Sequence, residues 1–180
     1  MTDQHSRMLD GLDFDGRLDA LERRLAQAAA MPLPSGHTDA DPDTPEERWQ
    51  APQVWAHMAE FIGYWHRQFE SVIGEYAGEP VPFGRTKRDP ARIAAIAVGR
   101  HEPVEQQIRR VHESLADFRR YVAGFGAAEW NAVGVHETLG NMDMERMVER
   151  FVVRHLDEHL DQLERLGECS GQAELRDPDG

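Results

Sequence analysis

Apolar residues recur at three- and four-residue intervals in four separate stretches of this chain, and each stretch predicts an amphipathic helix. Phe14, Leu18, Leu21, Leu25 and Ala28 trace the first, which the Pro32 and Pro34 pair ends. Val54, Met58, Phe61, Ile62, Trp65, Phe69 and Val72 form the stripe of the second, which begins near Pro52, a favoured first-turn residue. Val104, Ile108, Val111, Leu115, Phe118 and Val122 mark the third, after Pro103. The fourth covers Met144–Leu166, with Met147, Val148, Phe151, Val152, His155, His159 and Leu163 on one face. Asn141 or Asp143 is placed to cap it and Gly167 to stop it. A shorter helix is predicted from Asp89–Pro90 through Val98, halted at Gly99.

The stretches between break that rhythm. Residues 32–48 are proline-rich, acidic and aperiodic, and read as a long surface loop of a kind that often carries function. Residues 77–90 hold Gly78, Pro80, Pro82, Gly84 and Pro90, and residues 124–141 are dotted with glycine; neither shows convincing strand alternation. Long amphipathic helices without strands predict an all-α protein, a four-helix bundle in which at least one connection is a long crossover. The bundle domain is expected over residues 1–167, with residues 168–180 a polar, flexible tail.

Composition narrows the class. At 180 residues the chain is the size of one domain with a real core. A net charge of −13 argues against nucleic acid or an anionic membrane as partner, because both recruit basic patches. No apolar run approaches the ~20 residues needed to cross a bilayer. Asp, Glu and Arg throughout the first thirty residues argue against a signal peptide. Cys169 is the single cysteine, so no intramolecular disulfide forms, and a cytoplasmic location is expected. A small molecule is the expected partner, with a homodimer as a further expectation.

The candidate chemistry lies in three of the nine histidines. His155 and His159 share the apolar face of the fourth helix one turn apart, where both can reach a single ion. His57 sits on the shoulder of the second stripe, about 60° from Val54. A bundle that brings its second and fourth helices face to face would let the three hold a divalent ion with an open position, the layout of a catalytic site. Zinc or nickel suits imidazole, as do cobalt and iron. The alternative is a pair of core histidines satisfied by backbone or by carboxylates such as Asp157 and Glu158. His5, His37, His66, His101, His112 and His136 are expected to be surface or hydrogen-bonding residues. The segment His155-Leu-Asp-Glu158-His159 fits the inverted zinc-protease pattern. Those enzymes are much larger and take a further ligand well downstream, so that reading is rejected. No phosphate loop or nucleophile elbow is present, and Cys169 lies in a polar context unsuited to a catalytic thiol. Trp49 and Trp130, just outside helices, are candidates to line a cleft. That cleft is expected near the start of the second helix, partly closed by residues 32–48. Glu60 and Glu158 are placed to orient a ligand histidine or move a proton.

With these residues in view, the chain resembles the DinB-like superfamily, which includes bacterial thiol-dependent transferases and isomerases. Three stretches carry the likeness: Arg48-Trp-Gln-Ala-Pro-Gln-Val-Trp-Ala-His57-Met-Ala, the glycine-containing lead-in Gly134–Asn141, and His155-Leu-Asp-Glu-His159-Leu-Asp-Gln-Leu. The resemblance spans roughly residues 10–167. It implies a four-helix bundle with a crossover, a metal bound by His57, His155 and His159, and attack by the sulfur of a small thiol such as mycothiol or bacillithiol. Some thiol-dependent isomerases of that group carry a second domain with no counterpart in this sequence, which counts against isomerase activity more than against metal binding. The leading expectation is therefore a metal-dependent small-thiol S-transferase or a related hydrolase. The alternative is a non-catalytic metal-binding or stress-linked helical protein.

Overall fold

The computed structural model describes residues 14–42 and 44–174. Its main elements are α1 (Phe14–Ala30), α2 (Ala51–Glu75), α3 (Pro90–Gly99) and α4 (Val104–Ala123), followed by the single turn α5 (Ala127–Trp130). A continuous final helix consists of α6 (Met144–Val148), a π turn over Glu149–Val153, and α7 (Arg154–Glu174). The periodic stripes are the buried faces. Leu18, Leu21 and Leu25 are fully buried on α1, as are Val54, Met58, Phe61, Ile62, Phe69 and Val72 on α2. On α4 the buried set is Gln107, Val111, Leu115, Phe118 and Val122.

Packing places the four long helices at the corners of a bundle. α2 packs on α4 and on α7, and α1 packs on α7 and on α4. Consecutive α1 and α2 therefore stand diagonally, and residues 31–50 cross the bundle end to join them, which is the expected crossover. That connection is pinned rather than loose. Thr38 N–H donates to the Trp49 carbonyl at 2.8 Å, and Trp49 N–H donates to Thr38 Oγ1 at 3.0 Å. α3 closes on α2 where Gly99 meets Ala56; a Cβ at Gly99 would lie 2.9 Å from the Ala56 methyl.

The sequence expectation of an all-α protein is corrected by a small sheet. β1 (Val81–Phe83) runs parallel to β2 (Val133–His136), and β2 runs antiparallel to β3 (Gly140–Asp143). These strands are three or four residues long and hold Pro82 and Gly134, so none carries enough alternation to stand out. Pro82 is exposed on the outer strand, and Gly134 lets Phe83 pack over the backbone, where a Cβ would fall 2.5 Å from the ring.

The last helix departs from expectation at both its middle and its end. Asp143 is the cap, its Oδ1 accepting from Arg146 N–H at 2.9 Å. The helix passes through Gly167, which lacks the positive φ of a helix-ending glycine, and continues to Glu174. Residues 168–174 thus belong to the helix, Cys169 among them, and not to a flexible tail. Residues 175–180, like 1–13, lie outside the described part. Among the described residues no helix is long and apolar enough to cross a membrane.

Phe118 is fully buried on α4 and meets Phe69 of α2 with ring centroids 6.2 Å apart. Phe118→Ala should cost about 3–5 kcal/mol in chemical denaturation, because it opens a cavity at the α2–α4 seam. A loss below about 1 kcal/mol would place the packing of these helices elsewhere.

Candidate metal centre

The second and last helices bring all three predicted ligands together. His57 of α2 is 3% exposed and His159 of α7 is 7% exposed, while His155 is half-buried. One ring nitrogen from each lies within 4.8 Å of the others. His57 Nε2 and His155 Nε2 are 3.1 Å apart. Two imidazole nitrogens bound to one tetrahedral ion at 2.0–2.1 Å would stand about 3.3 Å apart, so this spacing suits a shared ion.

The hydrogen bonding points the same way. His159 Nδ1 faces Gln162 Oε1 at 2.8 Å, which makes Nδ1 the protonated nitrogen. Its Nε2 is buried and has no partner, so a lone pair is aimed inward. His57 Nδ1, the ring nitrogen other than the Nε2 that faces His155, is also buried without a hydrogen bond. The nearest carboxylate oxygen recorded there, Glu60 Oε2, is 3.9 Å away and is itself held by Arg85. The competing reading, in which acidic side chains satisfy the histidines, does not hold for Asp157. It is buried and paired with Arg24 of α1.

Burial and mutual repulsion keep the imidazoles neutral. Desolvation, then His159 and His155, hold His57 well below the usual histidine range. Desolvation followed by His159 does the same to His155. His159 is lowered to about 4, chiefly by burial, with Gln162 opposing. Neutral imidazole is the form that binds a metal. Aromatic rings enclose the group: Trp49 stacks on His159 at 5.9 Å and meets His57 edge-on at 5.0 Å, and Phe61 lies 4.4 Å from His155.

Two cavities meet at the histidines. One, of about 520 Å³, lies under the crossover loop and is lined by residues 35–42, Trp49, His57, His155 and His159. This is the expected cleft, and Trp49 borders it. Trp130 does not; it packs against Phe14 and Phe125. The other cavity, about 630 Å³, opens toward the sheet and the π turn. Glu158 lines both, and desolvation raises its carboxyl pKa.

His136 is hydrogen-bonded, as one of its two expected roles has it, with Nδ1 accepting from Thr138 N–H at 3.3 Å, but it is not a surface residue. It sits in β2, 6% exposed, between Phe83 and Phe151, and lines the second cavity. Its burial depends on a strand pairing across some fifty residues, which leaves no local signal. The His37 side chain is exposed beside the first cavity, and His5 lies outside the described residues.

The fold has known counterparts. The chain is similar to the mycothiol-dependent maleylpyruvate isomerase in two crystal structures, at TM-scores of 0.60 and 0.61 and 15% identity. That match covers 86% of this chain and 62% of the isomerase, so the chain spans less than two thirds of the isomerase's length. It is also similar to YfiT from Bacillus subtilis, described as a probable metal-dependent hydrolase with an unusual four-helix bundle topology. There the TM-score is 0.64 at 18% identity, covering 87% of this chain and 85% of YfiT. The chain therefore shares the bundle fold of these two proteins. No family model matches the sequence, and no curated protein matches it.

The lowered pKa of His159 sets a pH dependence for the metal-free protein. Below the unfolded value near 6.5, the unfolded chain takes up a proton that the folded chain refuses until about 4. Stability should therefore fall as pH drops through that window. His159→Phe, which has nothing to protonate, should show a shallower fall in denaturant titrations at pH 7 and pH 4.5 with a chelator present. Parallel slopes would mean that His159 is not held neutral.

Proposed function

We propose that this protein is a metal-dependent enzyme in which His57, His155 and His159 hold a divalent ion, zinc or nickel, and that it transfers a small thiol of the mycothiol or bacillithiol type to an electrophile. One observation carries the reading: a buried cluster of neutral, incompletely hydrogen-bonded imidazoles stands where two cavities meet. A structural ion is closed off by four protein ligands, whereas three ligands beside open space leave a position for a reactant. An ion so held supplies a nucleophile at neutral pH by lowering the pKa of a bound thiol or water.

The remaining work falls to the protein's own groups. Gln162 fixes the tautomer of His159, and Glu60 stands behind His57 Nδ1. Trp49 and Phe61 keep water from the enclosed side of the imidazoles. Glu158, with its raised carboxyl pKa and access to both cavities, is placed to take a proton from an incoming nucleophile. The two structural neighbours, one mycothiol-dependent and one a probable metal-dependent hydrolase, support metal or thiol chemistry on this fold. The YfiT description favours a second reading, hydrolysis by metal-activated water.

Untagged protein should carry about one divalent ion per chain by elemental analysis. His57→Ala, His155→Ala and His159→Ala should each lose it, while His37→Ala should retain it. Full occupancy in His57→Ala would remove that residue from the site. Metal-loaded protein should then conjugate one of a panel of low-molecular-weight thiols to an aryl halide, and both metal stripping and His155→Ala should abolish this. Ester or amide cleavage independent of thiol would instead favour the hydrolase. Neither activity in fully loaded protein would leave a non-catalytic metal-binding role.

A further inference from the structure

The charge of the second cavity runs against that of the chain. The protein carries a formal −13, with Lys87 as its single lysine. Yet Arg85, Lys87, Arg88, Arg92, Arg150 and Arg154 all border this cavity, and Glu158 is its one acidic lining residue among those described. Three of the six are committed to carboxylates: Arg85 to Glu60, Lys87 to Asp41 at 2.8 Å, and Arg92 to Glu47 at 3.0 Å. Arg154 approaches Glu149 only at 4.0 Å, and Arg88 and Arg150 make no ion pair among the described residues. Part of this positive charge is therefore uncompensated beside the histidines.

Two local structures hold the cations there. Arg85, Lys87 and Arg88 follow Gly84, whose φ of +93° turns the chain sharply at the end of β1. A Cβ at Gly84 would fall 2.5 Å from the His136 ring, so only glycine permits this approach. Gly84 N–H donates to Gln68 Oε1 at 2.8 Å, and Phe83 just before it pairs with His136 of β2. The turn is thus tied to both α2 and β2. The opposite wall comes from the π turn. Its wider i, i+5 repeat brings Arg150 round to the face that carries His155, and both line the cavity. Phe61, Trp65 and Phe151 supply an apolar floor.

We infer that this cavity takes a small organic anion, carrying carboxylate or phosphate groups on a compact apolar body, as the electrophilic substrate of the metal centre. Arg88, Arg150 and Arg154 hold its oxygens, and the edge of His57 and His155 faces its reacting end. Arginine forks suit both oxyanions, and a cavity lined by one sign of charge concentrates the opposite sign. The role as substrate rests on the metal-enzyme reading; the binding itself does not.

The test is calorimetric titration of the full chain, metal-loaded and metal-stripped, with succinate, with inorganic phosphate and with neutral succinamide. Succinate or phosphate should saturate one site per chain, and whichever binds distinguishes carboxylate from phosphate recognition. Affinity should drop at least about tenfold in the double variant Arg88→Gln/Arg150→Gln, and succinamide should bind at least about tenfold more weakly than succinate. Both replaced side chains are exposed, so circular dichroism should be unchanged. Arg109→Gln, an exposed charge on α4 outside the cavity, should bind as the wild type does. Equal affinity in the double variant, equal binding of succinamide, or no saturable anion binding would each overturn the inference. Anion binding that persists in a protein unable to hold metal would uphold the cavity's ligand class and refute the metal-enzyme reading instead.

Discussion

A buried imidazole nitrogen without a hydrogen-bond partner costs folding free energy, on the order of 1–3 kcal/mol for a polar group left unsatisfied. This bundle accepts that cost at His57 Nδ1 and again at His159 Nε2, within one cluster. Much of the surrounding structure follows from that constraint. His57 and His159 have to lie on facing helices whose apolar stripes meet, and the diagonal arrangement of α1 and α2 leaves α2 free to pack on α7. The crossover that this diagonal requires then passes over the histidines. Hydrogen bonds between Thr38 and Trp49 pin it there, so the connection becomes a wall of the first cavity.

Charge is arranged around the same point. Arg92 links the crossover to α3 through Glu47 and lies over the Trp49 ring, 5.3 Å from its centroid. Arg85 spans from the turn after β1 to Glu60, behind His57. Both arginines help to lower the pKa of His57 and His155, so they favour the neutral, metal-binding form while serving as ties between elements. On the other side of α7, Arg24 pairs with Asp157, Asp161 and Glu164, which leaves the inward face of that helix to the histidines. The two faces of α7 thus differ, one tied to α1 by ion pairs and the other carrying the histidine cluster.

The helices and the histidine triad were legible because both obey a helical period. Leu18, Leu21 and Leu25 on α1, and Val111, Leu115, Phe118 and Val122 on α4, are the residues that spacing alone selects. His155 and His159 stood out as polar residues in an apolar stripe, and His57 as one on the shoulder of another. What escaped has no periodic signature. β1 and β2 are too short to alternate, and their pairing joins segments far apart in the chain. The burial of His136 follows from that pairing, so it escaped with the strands. Nothing local announces the π turn, although it alters which residues of the last helix share the face of His155. Gly167 misled because a glycine stops a helix only when the chain needs a left-handed residue there, and this helix continues. Trp130 misled because a tryptophan just outside a helix can pack inward as readily as it can border a cleft.

The central claim is that three imidazoles on two facing helices hold one ion and leave a position open. X-ray absorption spectroscopy of the zinc-loaded protein addresses it most directly. The account predicts three imidazole nitrogens at about 2.0–2.1 Å and one further light, exchangeable ligand, replaced by sulfur near 2.3 Å when a small thiol is added. A shell dominated by oxygen, or one with fewer than three imidazoles, would contradict it.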